Sequence, residues 1–431
     1  MSERFPGVYA IIDSMKFWKR NSDMPQPVAL PALLCLSLII LWAPVASAER
    51  GVPITDKPRP DYDPPKIRVG SLLVMPELKL GLEYNDNIYA TKDKNEGDAI
   101  TTLAPRVQVR TDWANHALGM STGLTGGLYA SATDENYLDG NLSVDGRLDI
   151  LRGISLSGSI EGSKLHENRG EPDASGAWKQ PADYYQGKAS LKLTRTAGNV
   201  TINTGADITL LDYRSVDLLA GGSEDLDNRD RTLSNLDGRF AYLLLPGVDT
   251  FITGGYGWRR YDLEEVGRDS QGYRLGLGTG FDLGGVTTGE VYAGYMRQDY
   301  EDRESIDGPW LGLNLLWNVT QLTSVQARVA SSVKETTQSG SSGINAIDTG
   351  LRADHELLRN LLVGCFFDYT RDDYQGGDIL DEYFKVGPRF TYLLNRHLRA
   401  EFTYTLNDKE SSDPDREYQE NKGMFSVVGS L

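Results

Sequence analysis

Hydrophobic and polar residues alternate along the chain from residue 72 onward, in segments of about ten residues. Between residues 142 and 150, Leu142, Val144 and Ile150 share one face, while Ser143 and Asp145 lie on the other. Successive side chains of a strand point to opposite faces. Period two with charges confined to one face therefore predicts strands that separate a hydrophobic medium from water.

The alternation defines eighteen predicted strands. They cover residues 72–84, 99–112, 117–130, 138–150, 153–165, 185–195, 200–211, 232–243, 248–259, 271–283, 287–298, 309–318, 323–334, 345–357, 360–371, 382–394, 398–407 and 418–431. Short connections alternate with long polar ones, which is typical of an up-and-down antiparallel barrel with short periplasmic turns and long extracellular loops. A Greek-key sandwich gives no reason for this regularity. A sixteen-strand barrel is the alternative, because neither face of 287–298 is clearly apolar.

Aromatic residues gather near the predicted strand ends. Those near the long loops are Tyr84, Tyr89, Tyr129, Tyr137, Tyr184, Tyr185, Tyr213, Trp258, Tyr261, Tyr273, Tyr300, Trp310, Tyr369, Tyr383 and Tyr418, with Trp113, Tyr242, Phe281, Trp317 and Tyr392 near the short turns. Amphipathic rings at both rims are expected where a barrel crosses two membrane interfaces. In the stretch "GLEYNDNIYA" (81–90), Leu82 then faces lipid, Glu83 faces the lumen, and Asn85, Asp86 and Asn87 end the first strand instead of binding a metal.

The first 48 residues resemble a secretory signal peptide in their order of features. Lys16, Lys19 and Arg20 precede an uncharged apolar run at 32–43, and the small residues up to Ala48 follow. This order predicts cleavage after Ala48, and an uncleaved membrane helix is the alternative. The predicted organisation is a signal peptide (1–48), a Pro-rich periplasmic segment (49–71) and an outer-membrane β-barrel (72–431).

Composition narrows the class further. The chain has 431 residues with a net charge of -17, 46 glycines and 22 tyrosines. A nucleic-acid partner is not expected of so acidic a chain. Beyond the leader the only cysteine is Cys365, so no intramolecular disulfide is expected.

Catalytic motifs are missing from the sequence. There is no GxSxG, HExxH or CxxC, and Ser163 with His166 is the nearest approach to a nucleophile and its base. We therefore expect neither an enzyme nor a cofactor. The acidic runs at 223–230 and 299–304 could bridge Ca²⁺ or Mg²⁺ to lipopolysaccharide phosphates, but they lack the spacing of a calcium loop, so solvated surface loops are favoured and no metal site is predicted.

The inner face of the predicted barrel carries many basic residues. The candidates for lining the lumen are Arg106, Arg110, Arg147, Lys188, Lys192, Arg239, Arg328, Arg352, Lys385, Arg389 and Arg399. Eighteen strands enclose enough space for an aqueous channel. Basic residues inside and acidic residues outside would favour anionic solutes. The alternative is that these charges pair across strands and rigidify a closed barrel.

Four stretches carry a family resemblance: "GLEYNDNIYA" (81–90), "LAPRVQVRTDWANHAL" (103–118), "GYMRQDY" (294–300) and "HELLRNL" (355–361). With them, the chain from residue 49 onward resembles the outer-membrane β-barrel porins (type 2) associated with exopolysaccharide and capsule biosynthesis and export. The resemblance implies a Gram-negative outer-membrane location and a role as conduit or accessory in polysaccharide export.

The expected partners are outer-membrane lipid and lipopolysaccharide, the barrel-assembly machinery, and periplasmic polysaccharide-export proteins that dock through the Pro-rich segment. Two other functions are left open by the residues themselves. One is a general or anion-preferring diffusion porin, and the other is a non-conducting structural or adhesion barrel.

Overall fold

The computed structural model describes residues 51–431, apart from the side chain of Glu265. The predicted signal peptide and its cleavage site after Ala48 lie outside the described residues. Within the described residues, eighteen long strands form one closed antiparallel barrel. The predicted fold class and strand number are confirmed. The sixteen-strand alternative is wrong, because the strand Thr287–Tyr300 pairs with the preceding strand along its whole length and with the following strand from Thr287 to Gln298.

The barrel strands are numbered here in chain order. They are β1 (Leu72–Asn85), β2 (Asp98–Thr111), β3 (Ala117–Tyr129), β4 (Tyr137–Leu151), β5 (Ile154–His166), β6 (Asp183–Ala197), β7 (Val200–Tyr213), β8 (Arg231–Leu245), β9 (Val248–Tyr261), β10 (Ser270–Leu283), β11 (Thr287–Tyr300), β12 (Ile306–Thr320), β13 (Thr323–Lys334), β14 (Gly343–Leu358), β15 (Leu361–Gln375), β16 (Leu380–Leu393), β17 (Leu398–Ser411) and β18 (Tyr418–Ser430). Each pairs with the next along the chain.

Short elements accompany the barrel. A strand at Ile67–Val69 pairs with the start of β1, and a two-stranded ribbon of Val216–Asp217 and Ser223–Glu224 stands in the β7–β8 loop. Single 3₁₀ turns lie at Ile54–Asp56, Thr133–Glu135, Asp227–Arg229, Glu264–Val266 and Pro414–Arg416. None of the helical elements in residues 51–431 is long and apolar enough to cross a membrane.

The alternating hydrophobic and polar residues of the sequence lie on opposite faces of the barrel wall. Leu80 and Leu82 point outward and are 52% and 58% exposed. Lys79 and Glu83 alternate with them and point inward, where Lys79 pairs with Glu401 of β17. An apolar outer surface suits lipid, and the backbone groups of the closed sheet are satisfied by neighbouring strands. The outward Leu82 and inward Glu83 are as predicted.

Two of the tight turns depend on glycine. Gly153 between β4 and β5 has a φ of +78°, and Gly247 between β8 and β9 has a φ of +80°. In each case a Cβ would stand 2.3 Å from a carbonyl oxygen of a neighbouring strand, that of Thr196 or Asp282. Only glycine combines the left-handed backbone with so close an approach.

The first loop closes the barrel between β1 and β18. Asn85 donates to Glu420 at 2.7 Å, and the two carboxylate oxygens of Asp86 accept the backbone and side-chain N–H groups of Asn421 at 2.7 and 2.8 Å. Asn87 donates to the carbonyl of Gln419 at 2.9 Å. These three residues, here called the seam clasp, end β1 as predicted and also join it to β18.

The long-loop end of the barrel has a small apolar core of its own. Trp178, Ala182, Tyr213, Val216 and Leu226 are buried against one another. They come from two successive long loops and the strand ends between them. Because this packing ties the loops together, the long-loop end is a folded layer instead of separate hairpin tips.

Candidate functional site

All eleven basic residues predicted to line the lumen lie at inward positions of the register. Arg106 is opposite Glu77, and Lys188 is opposite Glu161. Arg352 and Lys385 are placed by the same alternation on β14 and β16. The strands therefore bring these side chains to one interior surface.

Four of the eleven basic residues make ion pairs on that surface. Arg147 binds Asp149 at 2.9 Å, and Arg389 binds Asp354 at 2.7 Å. Arg239 has two partners, Glu290 at 2.6 Å and Asp249 at 3.4 Å. Arg399 also has two, Glu401 at 2.8 Å and Glu77 at 3.0 Å. The pair of Arg147 and Asp149 lies within β4. The pairs of Arg239, Arg389 and Arg399 join different strands, and for these three the cross-strand pairing that the sequence left open applies.

The other seven make no ion pair within 4 Å among the residues that the structure describes. They are Arg106, Arg110, Lys188, Lys192, Arg328, Arg352 and Lys385. The inner wall also carries carboxylates, among them Glu161, Asp207 and Asp368. Basic residues inside the barrel and acidic residues outside it are therefore less strictly separated than the sequence suggested. Any preference for anions depends on the positions of the basic residues that have no ion-pair partner.

A cavity of about 800 Å³ lies at mid-height against β11 to β16. Its charged lining consists of Arg328, Arg352 and Lys385 with Asp348 and Asp368. Asp348 is shared, because it lies 3.6 Å from Lys334 and accepts a hydrogen bond from Thr370. The mid-barrel cavity therefore has an excess of positive charge.

One long loop crosses the barrel near its long-loop end. This crossing loop, residues 167–182, leaves β5 and reaches the β13–β14 loop, about half the circumference away in strand order. There the Oδ1 atom of Asp173 accepts from the Thr336 hydroxyl at 2.6 Å and from the Thr337 amide at 2.9 Å. The sequence predicted this segment only as one of the long polar loops.

Further contacts hold the two ends of the crossing loop. Glu167 accepts two hydrogen bonds from the buried Arg229, at 2.6 and 2.9 Å. Arg169 forms an ion pair with the buried Glu135 and donates to the carbonyl of Trp178 at 3.0 Å. The pKa of the Arg229 guanidinium, though lowered by burial, is raised on balance by its bonds to Glu167. A guanidinium held in this way remains charged and fixes the loop.

Glu171 projects from the crossing loop into a second cavity of about 380 Å³. Burial raises the pKa of its carboxyl above the ordinary value, Glu167 raises it further, and Lys385 and Lys334 act in the opposite direction. Glu171 and Lys385 line the same cavity, so the loop reaches toward the inner wall. Lys385, Tyr383 and Thr370 line both this outer cavity and the mid-barrel cavity.

The β13–β14 loop also turns inward. Glu335 accepts from the hydroxyl groups of Tyr261 at 2.8 Å and Tyr300 at 3.1 Å, and it forms an ion pair with Arg259. Nothing in the spacing of these residues along the sequence indicated that they meet. They lie on three inward-facing strand ends, β9, β11 and β13, that only the closed barrel brings together.

The Pro-rich segment folds back onto the short-turn end of the barrel. This segment, residues 51–66, is here called the strap. The amide of Ile54 donates to Ser324 at 3.0 Å, and Arg59 forms an ion pair with Glu356 at 2.9 Å. Pro60 accepts two hydrogen bonds from Arg396, at 2.7 and 3.0 Å. Ser324 and Glu356 are inward positions of β13 and β14, so the strap lies in the mouth of the barrel.

A third cavity, of about 740 Å³, lies between the strap and the inner wall of β14 to β18. We call it the strap chamber. Its basic lining residues are Lys57, Arg59, Lys66, Arg389, Arg396 and Arg399, and its carboxylates are Asp56, Asp63, Asp354 and Glu401. Positive charge is in excess here, as it is in the mid-barrel cavity.

The possible catalytic pair is not assembled. The Ser163 hydroxyl donates to Glu161 at 3.1 Å, while the His166 ring lies 3.0 Å from the Asp139 carboxylate and stacks on Tyr137. No cluster of three or more His, Cys, Asp or Glu residues suited to a metal ion occurs among the described residues. The two groups that a hydrolytic site would need thus have other partners.

A closed up-and-down barrel with an apolar outside and a charged interior defines the class of outer-membrane β-barrels. The chain matches the family model described as "Putative beta-barrel porin 2" over residues 59–430. It belongs to that family and is a porin-like barrel of the bacterial outer membrane. The short-turn end is accordingly periplasmic and the long-loop end extracellular.

Solved structures with a similar barrel have low sequence identity to the chain. OpdL of Pseudomonas aeruginosa is 14% identical, with 84% of this chain and 99% of that chain covered and a TM-score of 0.43. OccAB3 of Acinetobacter baumannii is 10% identical, with 84% and 100% covered and a TM-score of 0.44. A BenF-like porin of Pseudomonas fluorescens Pf-5 is 10% identical, with 83% and 99% covered and a TM-score of 0.44. No curated protein matches the sequence. Likeness at this level carries nothing about solutes.

Proposed function

We propose that the protein is a passive diffusion channel for small hydrophilic solutes, with a preference for anions. The observation that carries the proposal is the succession of three cavities along the inner wall of β13 to β17. The outer and mid-barrel cavities share Lys385, Tyr383 and Thr370. The strap chamber then continues along the same strands with Asp354 and Arg389, directly below Arg352.

The charge along this wall supports the anion preference. Arg328, Arg352 and Lys385 have no ion-pair partner within the described residues. In the strap chamber Arg389 and Arg399 are ion-paired, but basic side chains still outnumber carboxylates in its lining. Unpaired cations in a confined aqueous path raise the local concentration of anions. The opposite wall also has unpaired cations, Lys188 and Lys192 on β6, but they line none of these cavities.

Export of a polysaccharide rests on the family resemblance alone. The crossing loop and the strap both occupy a mouth of the barrel, which favours small solutes over a continuous polymer chain. A non-conducting structural barrel is the remaining rival. It predicts that the purified protein forms no ion-conducting pore.

Conductance in a planar bilayer tests the proposal. The wild type should form discrete ion-conducting pores, with a reversal potential in a KCl gradient on the anion-selective side. The double variant Arg328→Gln, Arg352→Gln should lower the anion-to-cation permeability ratio several-fold, because a charge is worth about 1 kcal/mol to an ion 4 Å away in water. The matched control, Lys188→Gln with Lys192→Gln, removes the same charge from outside the three cavities and should have a smaller effect.

Two results would count against the proposal. Silent bilayers would favour the structural barrel. Equal changes of the permeability ratio in the test and control variants would show that ions do not pass along the wall of β13 to β17.

A further inference from the structure

The strap is held in the periplasmic mouth almost entirely by polar contacts. Ile54, 1% exposed, is its one buried hydrophobic side chain among residues 51–66. Its polar contacts include the Arg59–Glu356 ion pair, the bonds from Arg396 to Pro60, the bond from Lys57 to the carbonyl of Gln321 at 2.7 Å, and the bonds from the amides of Ile54 to Ser324 and of Gly51 to the carbonyl of Gly285. Contacts of this kind exchange readily with water, unlike the packed apolar core at the other end of the barrel.

The docked strap leaves polar atoms unsatisfied beneath it. The Nε atom of Arg59 and the Oδ2 atom of Asp354 are buried without a hydrogen-bond partner. Asp354 is opposite Ser324 in the sheet, and Ser324 accepts the amide of Ile54. A buried donor or acceptor without a partner costs free energy that water would restore. Both residues line the strap chamber, so release of the strap would open them to the periplasmic solution.

The far end of the strap allows it to move without unfolding the barrel. Residues 67–69 pair with the first three residues of β1. A positive-φ glycine, Gly70, stands between the two strands. The strap thus adjoins one strand of a short hairpin, and its movement requires no change in the eighteen strands.

We propose that the strap is an autoinhibitory element that closes the periplasmic mouth and opens by releasing Arg59 and Pro60 from the rim. Closed, it separates the strap chamber, with Arg389 and Arg399, from the periplasm. Open, it joins the chamber to the periplasmic solution and completes the path along the inner wall. The inference rests on the proposed channel function for its consequence, but the covering of the chamber is measurable by itself.

The first measurement reports access to the chamber and does not depend on conduction. In a Cys365→Ser background, Thr403→Cys places a thiol on the chamber wall. A membrane-impermeant maleimide added from the periplasmic side should label it slowly in the full chain. Labelling should be faster, on the order of tenfold, when Arg59→Ala and Arg396→Ala remove two charge-assisted anchors, and also when residues 51–66 are deleted.

Arg68→Ala is the matched control. Arg68 lies on the short strand beyond the strap and pairs with the exposed Asp112 at 2.6 Å, so its loss should leave the labelling rate unchanged. Single-channel recording of the same proteins is the second measurement. The anchor variant should spend more time in its high-conductance state than the wild type or the control.

The outcomes separate the two proposals. Equal labelling in the full chain, the anchor variant and the deletion would overturn the strap inference, whatever the conductance. Faster labelling of the unlocked forms with silent bilayers throughout would support the covering role and overturn the channel. Faster labelling together with longer opening supports both.

Discussion

Loss of the Asp173 carboxylate should release the middle of the crossing loop from the opposite wall. Asp173 is 12% exposed and accepts two hydrogen bonds through one oxygen, from the Thr336 hydroxyl and the Thr337 amide. Its ion-pair partner within 4 Å among the described residues is Arg229, which lies 3.9 Å away and is already bound to Glu167. The substitution Asp173→Ala therefore removes both bonds to the β13–β14 loop. The two ends of the crossing loop stay held, and the longer bond from Arg416 to the carbonyl of Pro172, at 3.4 Å, remains near its middle.

The free energy lost in Asp173→Ala can be estimated from the kind of hydrogen bond that the substitution removes. A hydrogen bond to a charged group contributes about 1.5 to 3 kcal/mol. Two of them, taken at the lower end, amount to about 3 kcal/mol, which changes the ratio of docked to released loop by about 100-fold. The loop of the wild type should be docked nearly all the time, and that of the variant should exchange between docked and released positions.

Single-channel recording would detect this change as a larger mean conductance with rapid fluctuations. Glu304→Ala is the matched control, because Glu304 is an exposed loop carboxylate and makes no ion pair within the described residues. Conductance and noise identical to the wild type in Asp173→Ala would refute the reasoning, since the loop would then not obstruct the path. Loss of the folded barrel in a heat-modifiability gel would have to be excluded first.

Two further predictions concern the outer cavity and the turns. Because burial raises the pKa of Glu171, its carboxyl should take up a proton at a pH above the ordinary glutamate range. Anion preference should then rise as the pH falls through that window, and Glu171→Gln should abolish the step in the reversal potential. Gly153→Ala should lower the urea midpoint of unfolding more than Gly198→Ala does. Both glycines have positive φ, a conformation that costs an alanine about 1 to 2 kcal/mol. Only at Gly153 would the added Cβ also clash with a carbonyl oxygen. Equal urea midpoints for the two variants would contradict this reasoning.

The strands were predictable because each must keep one face in lipid and the other in water. The strand boundaries were less predictable, and several strands run beyond their predicted ends at the extracellular side. β17 continues to Ser411 and β15 to Gln375. In these extensions the outward residues include Asp373, Asp408 and Glu410, so the apolar alternation has stopped while the backbone pairing continues. Hydrophobic periodicity marks the membrane, not the end of the sheet.

The inner surface was predictable residue by residue, but its pairing was not. Period two places Arg389 and Arg399 in the lumen. Whether Arg389 meets Asp354 depends on the register of three strands. The strap shows the same limit more strongly, because the backbone amide of Ile54 donates to the side-chain hydroxyl of Ser324, 270 residues away in the sequence. No local pattern signals such a contact, and the Pro-rich composition alone suggested a free segment awaiting a partner.

The seam clasp has a consequence for redesign of the barrel. Asn85, Asp86 and Asn87 contact Gln419, Glu420 and Asn421, so the first loop and the final strand form one recognition unit made by opposite ends of the barrel sequence. A circular permutation that joined residues 51 and 431 and opened the chain at another loop would turn this meeting of distant segments into a local hairpin. The order in which the barrel closes would change while its final contacts stayed the same. Comparing the folding of the permuted and natural chains would then separate the role of the seam clasp in barrel assembly from its role in the stability of the folded barrel.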